Sequence, residues 1–432
     1  MMDGIGIDHN GSALDSPPKG ISVRRSVADL VVLADDLSGA AESAAALATA
    51  AEGDGVGVHL LHLGDVAAAI GPSRPVVIDT NTRSAPAADV PALLAPAAGL
   101  VSESTVVVKK VDSLLRGHVA VEVEWLRRID RPIVVAPALP AAGRIVREGS
   151  VLVHGAALAD APAWAIEASP APTSLPKSFS SPARSIGLSV VRGAAEALGR
   201  ALRDSDGIAV CDAESADDLR RIARASLSGD GRAPILVGAS ALVTAVAELL
   251  DAASGRADPR PPVPSAARVA FVVGTAERSA QRQVTELEAA GAAVLRLDPA
   301  RLMADVASAG AEIAAVLAAP LCVITFDLSS PFDPGHGAGP ALALADAYAR
   351  APRPAHEAAL VLTGGHTART VLDACGVRRL TVIDEVDAGA ARALTDTGLL
   401  VVTRPGSFGD DGSLLRIAAA LATPPTHERP AQ

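Results

Sequence analysis

The chain has 432 residues, of which 49% are hydrophobic and 20% are charged, and its formal net charge is −11. This length and apolar content predict a folded protein of two or three domains rather than a disordered chain. The excess of 49 acidic over 38 basic side chains, with only 2% aromatic residues, argues against nucleic-acid binding, which needs a basic face and stacking platforms.

The sequence shows neither a membrane span nor a secretion signal. Its longest apolar runs are broken by Gly, Pro or charge before they reach the ~20 residues that a span needs. Asp3 and Asp8 stand where a signal peptide would be basic. Cys211, Cys322 and Cys375 are far apart and odd in number, so we expect buried free thiols, no membrane partner and a cytoplasmic location.

A proline-rich stretch divides the chain. Residues 251–267 contain four prolines among Gly and small residues, which excludes a helix interior or a central strand and predicts an interdomain linker. We therefore expect one domain at residues 27–250 and a second at 268–425. Residues 1–26 and 426–432 are expected to be a flexible extension and tail.

Short apolar runs alternate with Ala- and Leu-rich helical stretches in both halves. The predicted strands are residues 29–33, 56–63, 75–78, 105–111, 132–136, 207–211 and 234–237 in the first half, and 268–273, 293–297, 321–326, 359–362, 379–383 and 399–403 in the second. Helices are predicted at 39–50, 119–129, 279–290 and 367–375, and residues 158–189 give no assignment. Continuous apolar strands separated by helices predict an α/β fold, in which each domain is a mainly parallel sheet flanked by helices.

Polar side chains follow several strands of the first domain, in the segments ADDLSGAAE, DTNTR, KKVDSLLRG and APALPAAGR. Because ligands bind beyond the carboxyl ends of parallel strands, these residues are candidates for a site that holds a small anionic, hydroxylated molecule. A carboxylate of the first segment would accept a hydroxyl proton; the alternative is that it only caps a turn, and the cations only form surface ion pairs. The candidates are Asp35, Asp36, Asp79, Asn81, Arg83, Lys110, Asp112, Arg116 and Arg144.

Three strand–glycine–helix junctions occur in the second domain. They contain Gly274–Thr275, the segment Gly364–Gly365–His366–Thr367, and a loop with Gly406. Glycine allows close approach of an oxyanion and the following helix offers free N–H groups, so a nucleotide phosphate is plausible, although glycines also serve ordinary turns. Neither a P-loop, a complete GxGxxG, HExxH nor GxSxG is present, which gives dehydrogenases, hydrolases and metalloenzymes little support.

Taken in order, ADDLSGAAE, DTNTR, KKVDSLLRG, APALPAAGR with REGSVLVHG, GTAERSAQRQV, GGHT and RPGSFGD resemble the four-carbon acid sugar kinases across nearly the whole chain. The resemblance implies ATP- and Mg²⁺-dependent phosphorylation of the terminal hydroxyl of erythronate, threonate or 3-oxo-tetronate, with the sugar in the N-terminal domain and ATP in the C-terminal domain. It implies sugar-site roles for Asp35, Asp36, Arg83, Lys110, Asp112, Arg116 and Arg144, and ATP-site roles for Thr275, Gly364, Gly365, His366, Thr367 and Gly406.

Some positions depart from the family pattern. Ala41, Leu114 and His366 replace an Asn, a Thr and an acid, whereas Ser38, Thr275 and Arg404 keep the chemistry of the residues they replace. The resemblance does not identify the Mg²⁺ ligands and leaves a homodimer open.

For the mechanism, we expect Asp35 to be the base, with Asp36 second, and the sugar carboxylate to lie on Arg83, Arg116 or Lys110. The alternatives are a kinase of another small hydroxy acid and a non-catalytic sensor of sugar acids or nucleotides.

Overall fold

A computed structural model of the protein describes residues 29–50, 55–60, 75–101, 105–161, 164, 170–203, 207–228, 232–251, 265–329, 338–352, 358–406 and 408–422. The predicted extension 1–26, most of the predicted linker 251–267 and the tail 426–432 lie outside these ranges. Within them, no helix is long and apolar enough to cross a membrane.

The described residues form 18 strands and 14 α-helices. The strands are β1 Leu30–Ala34, β2 Val56–Leu60, β3 Val76–Asp79, β4 Val106–Lys110, β5 Ile133–Ala136, β6 Arg144–Arg147, β7 Ser150–Val153, β8 Ala156–Ala157, β9 Ala183–Ile186, β10 Ile208–Cys211, β11 Ile235–Gly238, β12 Arg268–Val273, β13 Ala293–Leu297, β14 Leu321–Phe326, β15 Ala358–Thr363, β16 Arg379–Asp387, β17 Ala390–Thr395 and β18 Leu400–Arg404. The helices are α1 Leu37–Ala50, α2 Val90–Leu94, α3 Val119–Leu126, α4 Leu175–Ser178, α5 Leu188–Val191, α6 Ala195–Arg203, α7 Ala216–Leu227, α8 Ser240–Asp251, α9 Arg278–Ala289, α10 Pro299–Ala304, α11 Val306–Val316, α12 Gly339–Arg350, α13 Gly365–Ala374 and α14 Ser413–Ala422.

Fifteen of the strands form one continuous sheet, in the order β13-β14-β12-β15-β18-β17-β16-β2-β3-β1-β4-β11-β5-β10-β9. The strands from β2 to β9 in this order are parallel, as are those from β13 to β18. Between these blocks, β17 and β16 pair antiparallel, and β16 also pairs antiparallel with β2. The prediction of an α/β fold with mainly parallel pairing is therefore confirmed, but the expected pair of separate sheets is one sheet.

The predicted strands agree with the structure to within a few residues, because buried parallel strands such as β1 and β4 are unbroken apolar runs. Most of the strands that were missed are short or partly exposed, although β17 has six residues of which five are buried. The small antiparallel sheet β6-β7-β8, for example, has intermediate or exposed residues at most positions and carries no apolar run longer than three residues. The predicted helix 119–129 is α-helical only to Leu126 and continues as a 3₁₀ turn.

The strand order places one crossover point in each block. In the first block β1 is flanked by β3 and β4, and in the second β12 is flanked by β14 and β15. Loops diverge beyond the carboxyl ends of strands at such points and leave a crevice. The Asp35–Asp36 segment follows β1 and lies at the first crevice. The Gly274 and Gly364 junctions follow β12 and β15 and lie at the second.

Candidate active site

The two aspartates after β1 are held by one guanidinium. Arg83 donates to Asp35 from Nε (2.9 Å) and from Nη2 (2.7 Å), and to Asp36 Oδ2 from Nη1 (2.7 Å). The other oxygen of Asp36 accepts the backbone N–H of Gly39 at the start of α1, at 2.9 Å. Upstream of Arg83, Asn81 adopts φ +51°, a left-handed conformation that Asn tolerates, and this turn brings Arg83 back over β1.

The pair is electrostatically divided. Burial, followed in effect by the charge of Asp35 and opposed by Arg83, raises the pKa of Asp36 to about 6. Asp35 is as deeply buried, which by itself raises a carboxyl pKa, but Arg83, Lys109 and Lys110 outweigh burial and lower the pKa of Asp35. Two neighbouring carboxyls with pKa values pushed in opposite directions are suited to different roles.

A small cavity of about 40 Å³ lies beside Asp36. Its wall contains the four basic candidates of the N-terminal domain and the carboxylate Asp112. Burial raises the pKa of Asp112, but contacts with Arg116 outweigh burial and lower it. The lining residues are Asp36, Ser38, Gly39, Glu42, Arg83, Lys110, Asp112, Ser113, Arg116, Leu139, Arg144, Ala239, Ser240, Pro405 and Phe408.

The glycine junctions of the second block meet one another. The Thr367 hydroxyl donates to the carbonyl of Gly274 at 3.2 Å, and Gly364 N–H donates to the carbonyl of Arg404 at 2.9 Å. Gly364 adopts φ +98° immediately before α13, a conformation that favours glycine. The N-terminus of α13, with its unpaired N–H groups, therefore opens between the loops after β12 and β18.

Two basic groups of this region differ in role. The His366 ring lies on the first turn of α13, and neither of its nitrogens has a hydrogen-bond partner among the described residues. Burial lowers its pKa, so its neutral form predominates at pH 7. Arg404 is fully buried, and donates to Gln283 Oε1 at 2.8 Å and to the carbonyl of Phe408. Arg404 therefore stabilises the loop that contains Gly406 from within the protein, through its bond to the Phe408 carbonyl.

A large cleft of about 1240 Å³ runs across these junctions. Asp36, Arg83, Arg116 and Pro405 line both the large cleft and the small cavity, so the two spaces adjoin at these four residues. The far wall of the cleft is apolar, with Phe326, Leu328, Ala338, Pro340 and Ala341. The arrangement combines a basic cavity, a helix N-terminus of the kind that binds phosphate, and an apolar wall.

Gly365 is one of the points where the two blocks touch. A Cβ placed on Gly365 would lie 2.2 Å from Asp36 Oδ2 and 3.1 Å from Ser38 Oγ. Only a residue without a side chain lets the N-terminus of α13 approach the carboxylate this closely.

We expect Gly365→Ala to lower kcat/KM about 10²-fold, because displacing Asp36 from α13 by an ångström misaligns the reacting groups. The matched control is Gly99→Ala, where an added Cβ meets nothing within 4 Å. Steady-state kinetics of the two purified variants check this. Equal activity of the two variants would contradict the importance of the contact.

The structure brings most of the predicted site residues together, with two exceptions. Asp35 lines neither cavity; it is 1% exposed and lies behind Arg83. Asp79, a candidate by its place after β3, instead accepts from Arg369 of α13 at 2.8 Å within the protein. Sequence analysis missed Glu277 and Arg278 and the apolar wall of the cleft. Glu277 and Arg278 lie two and three residues after the Gly274–Thr275 junction. Their position next to this predicted phosphate loop could have identified them as candidates.

The chemistry of the cleft bears on a metal ion. Among the described residues, no group of three or more His, Cys, Asp or Glu could hold a metal ion. The cleft wall offers the single carboxylates Asp36 and Glu277. Mg²⁺ in phosphoryl-transfer sites takes one or two carboxylates together with phosphate oxygens, so these residues fit an ion that arrives with a nucleotide.

Two family models match consecutive parts of the chain. A sugar-binding N-terminal domain matches residues 30–246, and a nucleotide-binding C-terminal domain matches residues 270–414. The small basic cavity lies mainly in the first match, and the glycine junctions lie in the second.

The chain is also similar to curated kinases. A D-threonate kinase from Cupriavidus necator is 30% identical over 406 residues, covering 89% of this chain and 96% of that protein. A 3-oxo-tetronate kinase from Methylobacterium radiotolerans is 30% identical over 310 residues, covering 64% and 70%. A solved Salmonella typhimurium structure described as a putative tRNA synthase has the same fold, with a TM-score of 0.71 at 20% identity over 90% of this chain and 98% of that one. With both domain models matched in order and kinases this similar over most of its length, the protein is a kinase that belongs to the four-carbon acid sugar kinase family.

Proposed function

We propose that the protein transfers the γ-phosphoryl group of ATP to the terminal hydroxyl of a four-carbon acid sugar, a tetronate or 3-oxo-tetronate. The observation that carries this proposal is the position of Asp36, which lines both the small basic cavity and the large cleft. The names of the similar kinases support the same class of acceptor.

The large cleft suits ATP in size and in the order of its surfaces. Its apolar wall would take the base, and the loops at Gly274–Thr275 and Gly406 would follow the phosphates. The γ-phosphate would lie against the N–H groups at the start of α13, where the helix dipole favours a negative charge. The N–H group of the neutral His366 ring, which has no partner among the described residues, would be a further donor.

In the transfer step, Asp36 accepts the proton of the substrate hydroxyl while that oxygen forms a bond to the γ-phosphorus. The bond from the γ-phosphorus to the bridging oxygen breaks, and ADP leaves. Phosphoryl transfer depends mainly on alignment and charge stabilisation. Mg²⁺ bound to the phosphates would neutralise their charge, and Glu277 is the cleft carboxylate that would hold it.

Asp35 and Arg83 position the base in this scheme. All three guanidinium nitrogens of Arg83 are committed to the two aspartates, so Arg83 holds Asp36 against the cleft instead of leaving it free to turn. The twofold contact with Asp35 fixes the plane of the guanidinium. Asp35, first choice on sequence grounds, is thus proposed as a positioning residue and Asp36 as the base.

The function is tested by ADP release with Mg²⁺-ATP and a panel of D- and L-threonate, D- and L-erythronate, 3-oxo-tetronates and five-carbon aldonates. Turnover of a four-carbon acid, with the phosphate located on the terminal oxygen by ³¹P NMR, is the expected result. No ADP release with any acid of the panel, or faster turnover of the five-carbon acids, would contradict the proposed acceptor.

The pH dependence follows from the raised pKa of Asp36. A general base must be deprotonated, so we expect kcat/KM to fall about tenfold per pH unit below an apparent pKa near 6. The His366→Gln variant should keep this acid limb, which separates Asp36 from the nearby imidazole. Activity that stays flat down to pH 5 would contradict the assignment.

A further inference from the structure

The small cavity has four basic side chains in its wall, and three of them already face carboxylates. Every guanidinium nitrogen of Arg83 donates to Asp35 or Asp36. Arg116 donates to Asp112 from Nε at 2.8 Å and from Nη2 at 3.0 Å. Lys110 Nζ lies 3.7 Å from Glu42 Oε2 and donates to the carbonyl of Val111 at 3.2 Å.

Arg144, the fourth, is different. Within the described ranges its guanidinium makes one hydrogen bond, from Nη1 to the hydroxyl of Ser113, and has no carboxylate within ion-pair distance. Its Nε is buried without any partner. Arginine stays protonated in proteins, so the wall of the cavity carries a positive charge that no carboxylate of the described residues contacts directly, although Asp112 and Glu42 lie near enough to act on it. Such a group is costly to bury unless an anion completes it.

Backbone hydrogen bonds fix the point from which the Arg144 side chain starts. Arg144 and Leu139 exchange two backbone hydrogen bonds, 2.8 and 3.2 Å, across a tight turn that ends with Gly143 at φ +66°. Both residues line the small cavity, and Arg144 begins β6 of the small sheet. The guanidinium is restrained at its other end by the hydrogen bond to Ser113, which also lines the cavity. A guanidinium in the cavity wall with donors to spare can make a planar two-oxygen contact with a carboxylate.

We propose that Arg144 binds the carboxylate of the substrate and thereby decides which end of the molecule reaches Asp36. This inference rests on the proposed function and refines it, because the sequence favoured Arg83, Arg116 or Lys110 for this contact. With the carboxylate on Arg144, the opposite end of the chain points to the junction with the large cleft, so the terminal hydroxyl is the one that meets the base. A cavity of about 40 Å³ between the two admits only a short chain.

The decisive comparison is between an acid and its uncharged alditol. In Arg144→Gln we expect the KM for D-threonate, or for whichever acid the wild-type enzyme prefers, to rise about 10²-fold, with kcat reduced far less. The kcat/KM for threitol, which has no carboxylate, should be unchanged. Arg144→Lys keeps the charge but not the planar fork and should lie between the two.

Arg147→Gln is the matched control, since Arg147 lies on the same strand but pairs with Glu214 on the surface. It should behave as the wild type toward both compounds. Calorimetric titration of D-threonate without ATP gives a second readout that does not depend on turnover, and the affinity should fall as KM rises.

The outcomes separate this inference from the proposed function. If the wild-type enzyme phosphorylates a tetronate and Arg144→Gln leaves its KM unchanged, or loses acid and alditol equally, Arg144 does not bind the carboxylate and the proposed function stands. If the wild-type enzyme neither binds nor phosphorylates any tetronate, both are overturned.

Discussion

Asp36→Asn should lower kcat by about 10²–10⁴-fold, the range that a positioned general base contributes. The amide has the shape of the carboxylate but cannot take the hydroxyl proton. The KM values for ATP and for the acid should change much less, because the walls of both cavities are otherwise intact. Single-turnover kinetics with the preferred tetronate measure this, and a melting curve confirms that the variant is folded.

Asp35→Asn is the matched comparison, since it makes the same chemical change one residue away. Asp35 lies behind Arg83, so its loss should loosen Arg83 and weaken substrate binding. The acid limb of the pH profile should persist but shift to lower pH, because the charge of Asp35 helps to raise the pKa of Asp36. If instead Asp36→Asn keeps nearly full kcat and Asp35→Asn removes the acid limb, the base is Asp35 and the assignment made here is reversed.

Arg369→Met should reduce the free energy of unfolding by about 3–5 kcal/mol, as expected when a buried ion pair loses one partner. Arg369 of α13 is 2% exposed and its Nη1 lies 2.8 Å from Asp79 Oδ2, at the end of β3, where exposure is 0%. Burial raises the pKa of Asp79 and Arg369 counteracts this, so the variant leaves a buried charge without its main counter-ion. Urea unfolding followed by circular dichroism at pH 8 gives the number.

The sign of the pH dependence adds a check. Without Arg369 the folded-state pKa of Asp79 rises further above its unfolded value, so the folded state binds the proton more tightly. The loss of stability should be full at high pH and should shrink as the pH falls through that folded-state pKa. Adding Asp79→Asn should recover part of the loss.

Arg350→Met is the control for the ion pair, because Arg350 pairs with Asp346 on the exposed face of α12. Such surface pairs contribute about 0–1 kcal/mol. An Arg369→Met variant no less stable than Arg350→Met would show that the contact between α13 and β3 does not hold the two blocks together.

The site illustrates where residue patterns reach their limit. Adjacent carboxylates after β1 marked a catalytic segment, but Asp35 and Asp36 are equivalent in sequence. Arg83, which arrives from another strand end, separates them by taking both oxygens of Asp35. Similarly, no pattern distinguishes Arg144 from Arg116, whose charge is matched by Asp112 four residues earlier. Candidate residues can be found from their spacing, but their partners depend on the packing of distant segments.

The sequence by itself determined the α/β class and nearly all the buried strands, because parallel strands covered on both faces must be continuous apolar runs. It also determined the glycine junctions and the family, through motifs whose spacing is local. The joining of both sheets through β2 and β16, the close contact of Gly365 with Asp36, and the unpaired charge of Arg144 were decided only by the tertiary structure. The first two are contacts between residues far apart in the chain, and the third is the lack of a carboxylate contact at Arg144. A local sequence pattern encodes neither such contacts nor their absence.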